Sequence, residues 1–164
     1  MIQELQFKTM IDKKFVRETK SEFDEKVLVI RRISKKTPGG NYITFSALVA
    51  IGDHKNRVGL GLARSLEVPS AIAKAISKAK KSIITLPITG TTIPQSVRVK
   101  YKAATILLKP APRGAGLKVG SVVRSILNLA GVDNASAKII RSRNKINNAY
   151  ATILALKSLR QIKK

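Results

Sequence analysis

The stretch NRVGLGLARSLEVPSAIAKAISKAKK, residues 56–81, sets Gly59 and Gly61 ahead of a helix-like run that begins after Val68 and Pro69. That order is the outline of a loop that cradles phosphate. A dinucleotide fingerprint, however, needs its glycines at the turn from strand to helix and an acid about 20 residues further on. Here the glycines alternate with Val58, Leu60 and Leu62 inside a strand-like run, and after Val68 no acid occurs before Asp133. There is no G-K-[ST] either, so no nucleotide cofactor is expected. The single histidine, His54, stands in the polar turn GDHKN beside Asp53, and the chain contains no cysteine. It reads as a solvated turn residue. Paired carboxylates, a metal-ligand cluster and a nucleophile beside a base are all missing. The expectation is no enzyme: no catalytic residue, no metal, no cofactor and no small-molecule substrate.

Charge is the chemistry that remains. The chain has 164 residues, with 32 Lys and Arg against 9 Asp and Glu, a formal net charge of +23. The excess is uneven: residues 1–67 carry 13 basic and 8 acidic side chains, residues 68–164 carry 19 basic ones and a single acid, Asp133. Cations at such density repel one another unless a polyanion compensates them. The candidate nucleic-acid contacts are Arg31, Arg32, Lys35 and Lys36 toward a first hairpin tip, Arg57 and Arg64 on either side of the glycine strand, and Lys74, Lys78, Lys80 and Lys81 along the helix. Further on, Arg98, Lys100 and Lys102 recur at every other position, as on one strand face, and Arg141, Arg143 and Lys145 repeat that spacing. Only seven aromatic residues are present, none of them Trp. Base stacking along a single strand is therefore disfavoured against shape and backbone reading of folded RNA.

These side chains must be held by elements that the hydrophobic periodicity outlines. Residues 1–25 mix acids and bases with scattered apolar residues and read as an extension that orders on a partner; its acid-rich end, SEFDE, serves the solubility of the junction. EKVLVIRRIS and YITFSALVAI alternate with period two and read as strands, joined by the loop KKTPGGN. Residues 57–63 form a third strand, whose glycines let another backbone come close. Residues 70–84 are helical, with Ile72, Ile76, Ala79 and Ile83 as the apolar stripe and Lys74, Lys78 and Lys81 opposite. LPITGTTIPQS, 86–96, breaks both periods and marks a boundary. Beyond it come two short strands in VRVKYKAATILLKP, then a helix in LKVGSVVRSILNLAG with Val119, Val122, Val123, Ile126, Leu127 and Ala130 inward and Lys118, Arg124 and Asn128 outward, ended by Gly131. A strand in SAKIIRS follows, and a closing helix in NNAYATILALKSL, its inward set Ile146, Tyr150, Ile153 and Leu154. The expected fold class is α+β in two small lobes, βββα over residues 26–90 and ββαβα over residues 91–164, the latter with a basic tail. No apolar run approaches the ~18 residues of a membrane span, and no signal architecture opens the chain. The sequence reads as a soluble protein of the cytoplasm or of an organelle.

Several of these motifs together resemble a known family. SKKTPGGNYITFSALVAIGDHKNRVGLG, EVPSAIAKAISKAKK, TILLKPAPRGAGL, VVRSILNLAGV and NNAYATILALKSL, in order over residues 26–159, are similar to small ribosomal subunit protein five of the bacterial type, as found in bacteria and plastids. The resemblance implies a first lobe like a double-stranded-RNA-binding domain and a second lobe with a left-handed β-α-β crossover. It also implies a structural role in the ribosome, in small-subunit assembly and translational accuracy, with small-subunit rRNA, small-subunit proteins four and eight and, where it enters the subunit, mRNA as partners. Arg113 and Lys118 join the RNA-binding candidates. Gly114 and Arg124 match positions near the protein-four interface that affects accuracy. The loop Lys36, Thr37, Pro38, Gly39, Gly40 and Asn41 matches the region that governs spectinomycin response. The chain departs from the family pattern where GSxNP becomes RSRNK, residues 141–145, adding cations that point to rewired RNA contacts. The rival reading is a non-ribosomal regulator or chaperone of structured RNA built on the same first lobe.

Overall fold

A computed structural model describes residues 22–88 and 90–159 of the chain. The expectations for residues 1–21 of the extension and for the basic tail lie outside them. Among the described residues the order is β1 (Asp24–Thr37), β2 (Gly40–Gly52), β3 (Arg57–Ser65), α1 (Val68–Lys81), β4 (Ile84–Thr85), β5 (Val97–Tyr101), β6 (Ala104–Pro110), β7 (Leu117–Lys118), α2 (Ser121–Leu129), β8 (Ala135–Arg141) and α3 (Lys145–Lys157). The fold is α+β with two sheets. The first is antiparallel in the order β1-β2-β3-β4, and the second is mixed in the order β5-β6-β8-β7, with β7 and β8 parallel across α2.

Period two in β2 sorts its side chains onto two faces, and both faces are covered. Ala47, Val49 and Ile51 pack with Ala63 and with Ala71, Ala75 and Ala79 of α1. Leu48 and Ala50 join Val58 and Leu60 in a larger core with Val123, Ile126 and Leu127 of α2, Ala149, Ala155 and Leu156 of α3, and Ile106 and Leu108 of β6. The molecule is thus layered: α1, first sheet, the helix pair α2 and α3, second sheet.

The inward stripe of α1 is rotated from the one expected. Ala71, Ala75 and Ala79 are fully buried, while Ile72, Ile76 and Ile83 lie at the margin of the same core. The glycines of β3 explain the choice. A Cβ on Gly61 would stand 2.0 Å from the carbonyl oxygen of Ala75, and one on Gly59 would stand 2.5 Å from that of Ala79. Helix backbone lies directly on strand backbone, so only the smallest side chains fit between them. Pro69 opens the helix where its missing N–H costs nothing, and Lys78, Lys80 and Lys81 close it at the negative end of the helix dipole.

Other boundaries also shift. The first hairpin turns tightly, with Thr37 paired to Gly40, so only Pro38 and Gly39 form the loop and Lys35, Lys36 and Asn41 are strand residues. The β2–β3 pairing ends at Phe45 and Ser65, so residues 33–44 stand beyond the third strand as a two-stranded ribbon. Lys118 and Val119 precede α2: Lys118 belongs to β7, drawn into parallel pairing with Ser136. Lys102 sits in the β5–β6 turn at φ 51° rather than on the strand face of Arg98 and Lys100. In α3 the fully buried positions are Ala149, Ala151, Thr152, Ala155 and Leu156, whereas Leu154 faces out at 42 % exposure because the helix is covered from two sides. Tyr150 stacks on Tyr101 with ring centroids 5.5 Å apart, which ties α3 to β5.

The lobes are also joined by backbone. The β2–β3 turn holds His54 and Asn56 at positive φ, and their N–H groups donate to the carbonyl oxygens of Leu129 and Ala130 at the C-terminal end of α2. A Cβ on Gly131, itself at φ 79°, would meet His54 O at 2.2 Å. Leu86 and Ile93 are strapped down as well: both are buried, and Leu86 N–H donates to Asn56 O.

Candidate nucleic-acid interface

Alternation in the second sheet points Val97, Val99, Ile106, Leu108, Ala137 and Ile139 toward the helices. Among the described residues no helix covers the opposite face. Cross-strand register sets three rows there: Arg98, Leu107 and Lys138; Lys100, Thr105 and Arg141; Lys109, Ser136 and Lys118. Arg98, Lys100 and Arg141 converge with Thr105 around a depression of about 390 Å³. Lys118 and Lys138 line a second, of about 400 Å³. None of these six cations has an ion-pair partner among the described residues. Lys109 and Lys138 were missed by sequence reasoning. The signal that finds them is pairing: each is an isolated lysine until register places it beside Arg98 or Lys118.

Past Arg141 the chain leaves the sheet, so Arg143 and Lys145 do not continue its face. Arg143 is in the β8–α3 loop and Lys145 is the first residue of α3. With Arg141 they rim a cleft of about 550 Å³ between the N-terminal ends of α2 and α3. The first lobe reaches the same neighbourhood. Arg31 donates from Nη2 to Oδ1 of Asn144, the residue that caps α3, at 3.2 Å, and Arg31 and Arg64 flank Ser46 in one row of the first sheet.

The remaining candidates separate. Lys35 and Lys36, being adjacent, lie on opposite faces of the ribbon. Arg32 falls on the α1 side of the sheet with Phe45. Lys74, Lys78 and Lys81 are exposed on α1, the layer farthest from the second sheet, and two of them brace β3: Lys74 Nζ donates to Ser65 Oγ at 3.2 Å, and Lys78 Nζ to Leu62 O at 3.3 Å. Lys102 holds its ammonium 5.7 Å from the Tyr101 ring centroid. Arg113 and Gly114 are exposed in the β6–β7 loop, Gly114 at φ 85°. Arg124 reaches from α2 to donate to Leu117 O at 2.9 Å, so the loop carrying Gly114 and the helix carrying Arg124 are held together.

Other cations are already compensated. Arg57 donates to Asp53 Oδ2 at 2.6 Å and to Glu22, and its guanidinium lies 4.9 Å from the Phe23 ring centroid. These acceptors raise its pKa further above the ordinary value. Asp53 has only 4 % of its side chain exposed; burial pushes its carboxyl up, but hydrogen bonds from the Arg57 side chain and from the N–H groups of Lys55 and Arg57 together hold it below the usual carboxylate range. Asp24 pairs with His54 at 2.9 Å and Glu25 with Lys80 at 3.7 Å. The acids of SEFDE, read as a solubilising junction, are instead a clasp on the β2–β3 turn and α1, with Glu22 just before β1 and Asp24 and Glu25 as its first two residues. His54, read as a solvated turn residue, belongs to that clasp.

Among the described residues no three His, Cys, Asp or Glu side chains gather as metal ligands, and no helix is long and apolar enough to cross a membrane. What the surface offers is uncompensated positive charge on a rigid scaffold. Comparison with protein families gives two matches: residues 23–87 match the model of the ribosomal protein S5 N-terminal domain, and residues 99–164 match that of the ribosomal protein S5 C-terminal domain.

Proposed function

The chain belongs to the ribosomal protein S5 family, and on that premise we propose how its surface serves the ribosome. It is a structural, non-enzymatic constituent of the small ribosomal subunit that binds the subunit's rRNA. The open face of the second sheet, with Arg98, Lys100, Lys118 and Arg141 joined by Lys109 and Lys138, is the main RNA surface. The carrying observation is that these cations are exposed, have no ion-pair partner among the described residues and are opposed in their half of the sequence by Asp133 alone. Phosphate contacts of this kind position a protein on folded RNA without reading sequence. Arg31, Arg64, Arg143 and Lys145 extend the surface to the lobe junction, and the ribbon 33–44 carries Lys35 and Lys36 outward beside it. Lys74, Lys78 and Lys81 serve a second RNA segment on the far side, with Arg32, Lys102 and Arg113 at the margins, whereas Arg57 serves the fold.

The finer assignments rest on the family resemblance. Gly114 and Arg124, held on one side of the second lobe, contact small-subunit protein four and affect accuracy; protein eight and incoming mRNA are further neighbours, in a bacterial or plastid ribosome. The tight turn at Pro38 and Gly39, with its flanks Lys36 to Asn41, governs the response to spectinomycin. The organisation is an extension that ends where β1 begins at Asp24, a first lobe from there to residue 90 and a second over 91–164.

The test is the salt dependence of binding to small-subunit rRNA. Replacing Arg98, Lys100 and Arg141 together by Ala is expected to lower the slope of log K against log salt by about 2 to 3 units. A slope equal to that of the unaltered chain would remove this face from the interface.

A further inference from the structure

Helix α2 begins without a cap. Gly120 at the N-cap offers no side chain, and the first turn holds no acid, so the positive end of the helix is left bare. It faces the cleft of about 550 Å³ rimmed by Arg141, Arg143 and Lys145. Those features alone would attract any anion.

A second observation is more selective. Asn148 lines the same cleft and is only 4 % exposed. Its Nδ2 donates to the carbonyl oxygen of Ser142 at 3.1 Å, which fixes the amide's orientation, since turning it over would set oxygen against oxygen. Its Oδ1 is then left with no hydrogen-bond partner among the described residues. A buried acceptor without a donor is a standing cost that a ligand could remove. An ionised phosphate brings acceptors only and cannot do so.

The required ligand carries an anion and a hydroxyl donor a few ångströms apart, as a ribonucleotide does and a deoxyribonucleotide does not. We propose that this cleft seats one ribonucleotide of folded RNA, its phosphate against the N-terminus of α2 and the rim cations, its 2′-hydroxyl donating to Asn148 Oδ1. The cleft's volume lies within the range of about 300–1,000 Å³ usual for small-ligand sites, and it is open on one side, so the nucleotide enters while still part of its strand. The inference rests on the rRNA-binding reading and sharpens it to a single site that senses the sugar.

The test uses the full chain and small-subunit rRNA transcribed with sparse 2′-deoxy substitutions, comparing bound and free molecules position by position. The unaltered protein should show a position where the missing hydroxyl lowers binding several-fold, and Asn148→Leu should lose that signal while keeping the others. Ser121→Asp puts an acid on the first turn of α2, which suits the helix dipole and preserves folding, yet it should weaken binding about tenfold by occupying the phosphate's place. Superimposable interference maps for Asn148→Leu and the unaltered chain, or unchanged affinity of Ser121→Asp, overturn the site while leaving rRNA binding intact. Failure of the unaltered chain to hold the rRNA overturns the rRNA-binding reading, and the site with it.

Discussion

Asp53 stays ionised because its oxygens accept from the Arg57 side chain and from two backbone N–H groups, in a turn that in turn caps α2. Its folded pKa lies below its unfolded one, so its contribution is fully present above about pH 4 and is lost as pH falls through the folded value. Melting temperature, followed by circular dichroism, should therefore drop as pH falls below about 4. Asp53→Asn should flatten that drop and cost about 1–3 kcal/mol at neutral pH, because the amide keeps an oxygen for the two backbone N–H groups but replaces the acceptor of Arg57 Nε with an NH2 donor. A variant that keeps the parent's acid profile would remove Asp53 from this role. None of this was legible beforehand: GDHKN announces a turn, but that its N–H groups point at Leu129 and Ala130 depends on residues more than seventy positions away.

The elements were legible to the extent that their periodicity was clean. Alternation in YITFSALVAI and the punctuation around it predict β2 well, and the glycine strand is where the pattern puts it, whereas the helix after it, expected over 70–84, runs from Val68 to Lys81 and leaves Ile83 beyond its end. The face of α1 was misjudged because the sequence advertises isoleucines, whereas backbone proximity selects alanines. Two-residue strands such as β4 and β7 carry too few residues for any period, so Lys118 read as helix. The close approach has a measurable consequence. Gly61→Ala should destabilise the protein by at least about 3 kcal/mol in urea unfolding, since the new methyl meets backbone that has no rotamer to yield. Gly39→Ala, with nothing within 4 Å, should stay within about 0.5 kcal/mol. Equal effects at the two sites would mean that α1 does not rest on β3 as described.

Across the whole molecule the lysines of α1 and the cations of the second sheet occupy two outer layers, with two layers of core between them. Substituting Lys74, Lys78 and Lys81 by Ala should lower the salt slope by at most about 3 units, and the effect should add to that of the sheet triple, because the two sets share no partner. An unchanged slope for the α1 set would leave a one-sided interface. Such a layered body should also unfold as one. Far-UV circular dichroism and the near-UV signal of the Tyr101 and Tyr150 stack are expected to give coincident urea transitions, and two separate midpoints would show the lobes to be independent. The sequence placed the lysines on their elements but could not say which faces were back to back, since that follows from packing both faces of β2. That double covering has a consequence in time. Chain synthesis delivers the first sheet and α1 before α2 and α3 exist, so Leu48, Ala50, Val58 and Leu60 wait uncovered while residues 91–156 are made, about 3–13 s at roughly 5–20 residues per second. For that interval the nascent chain presents an apolar face beside a growing stretch of positive charge, and what shields it then, whether chaperone or ribosome surface, shares in producing the finished protein.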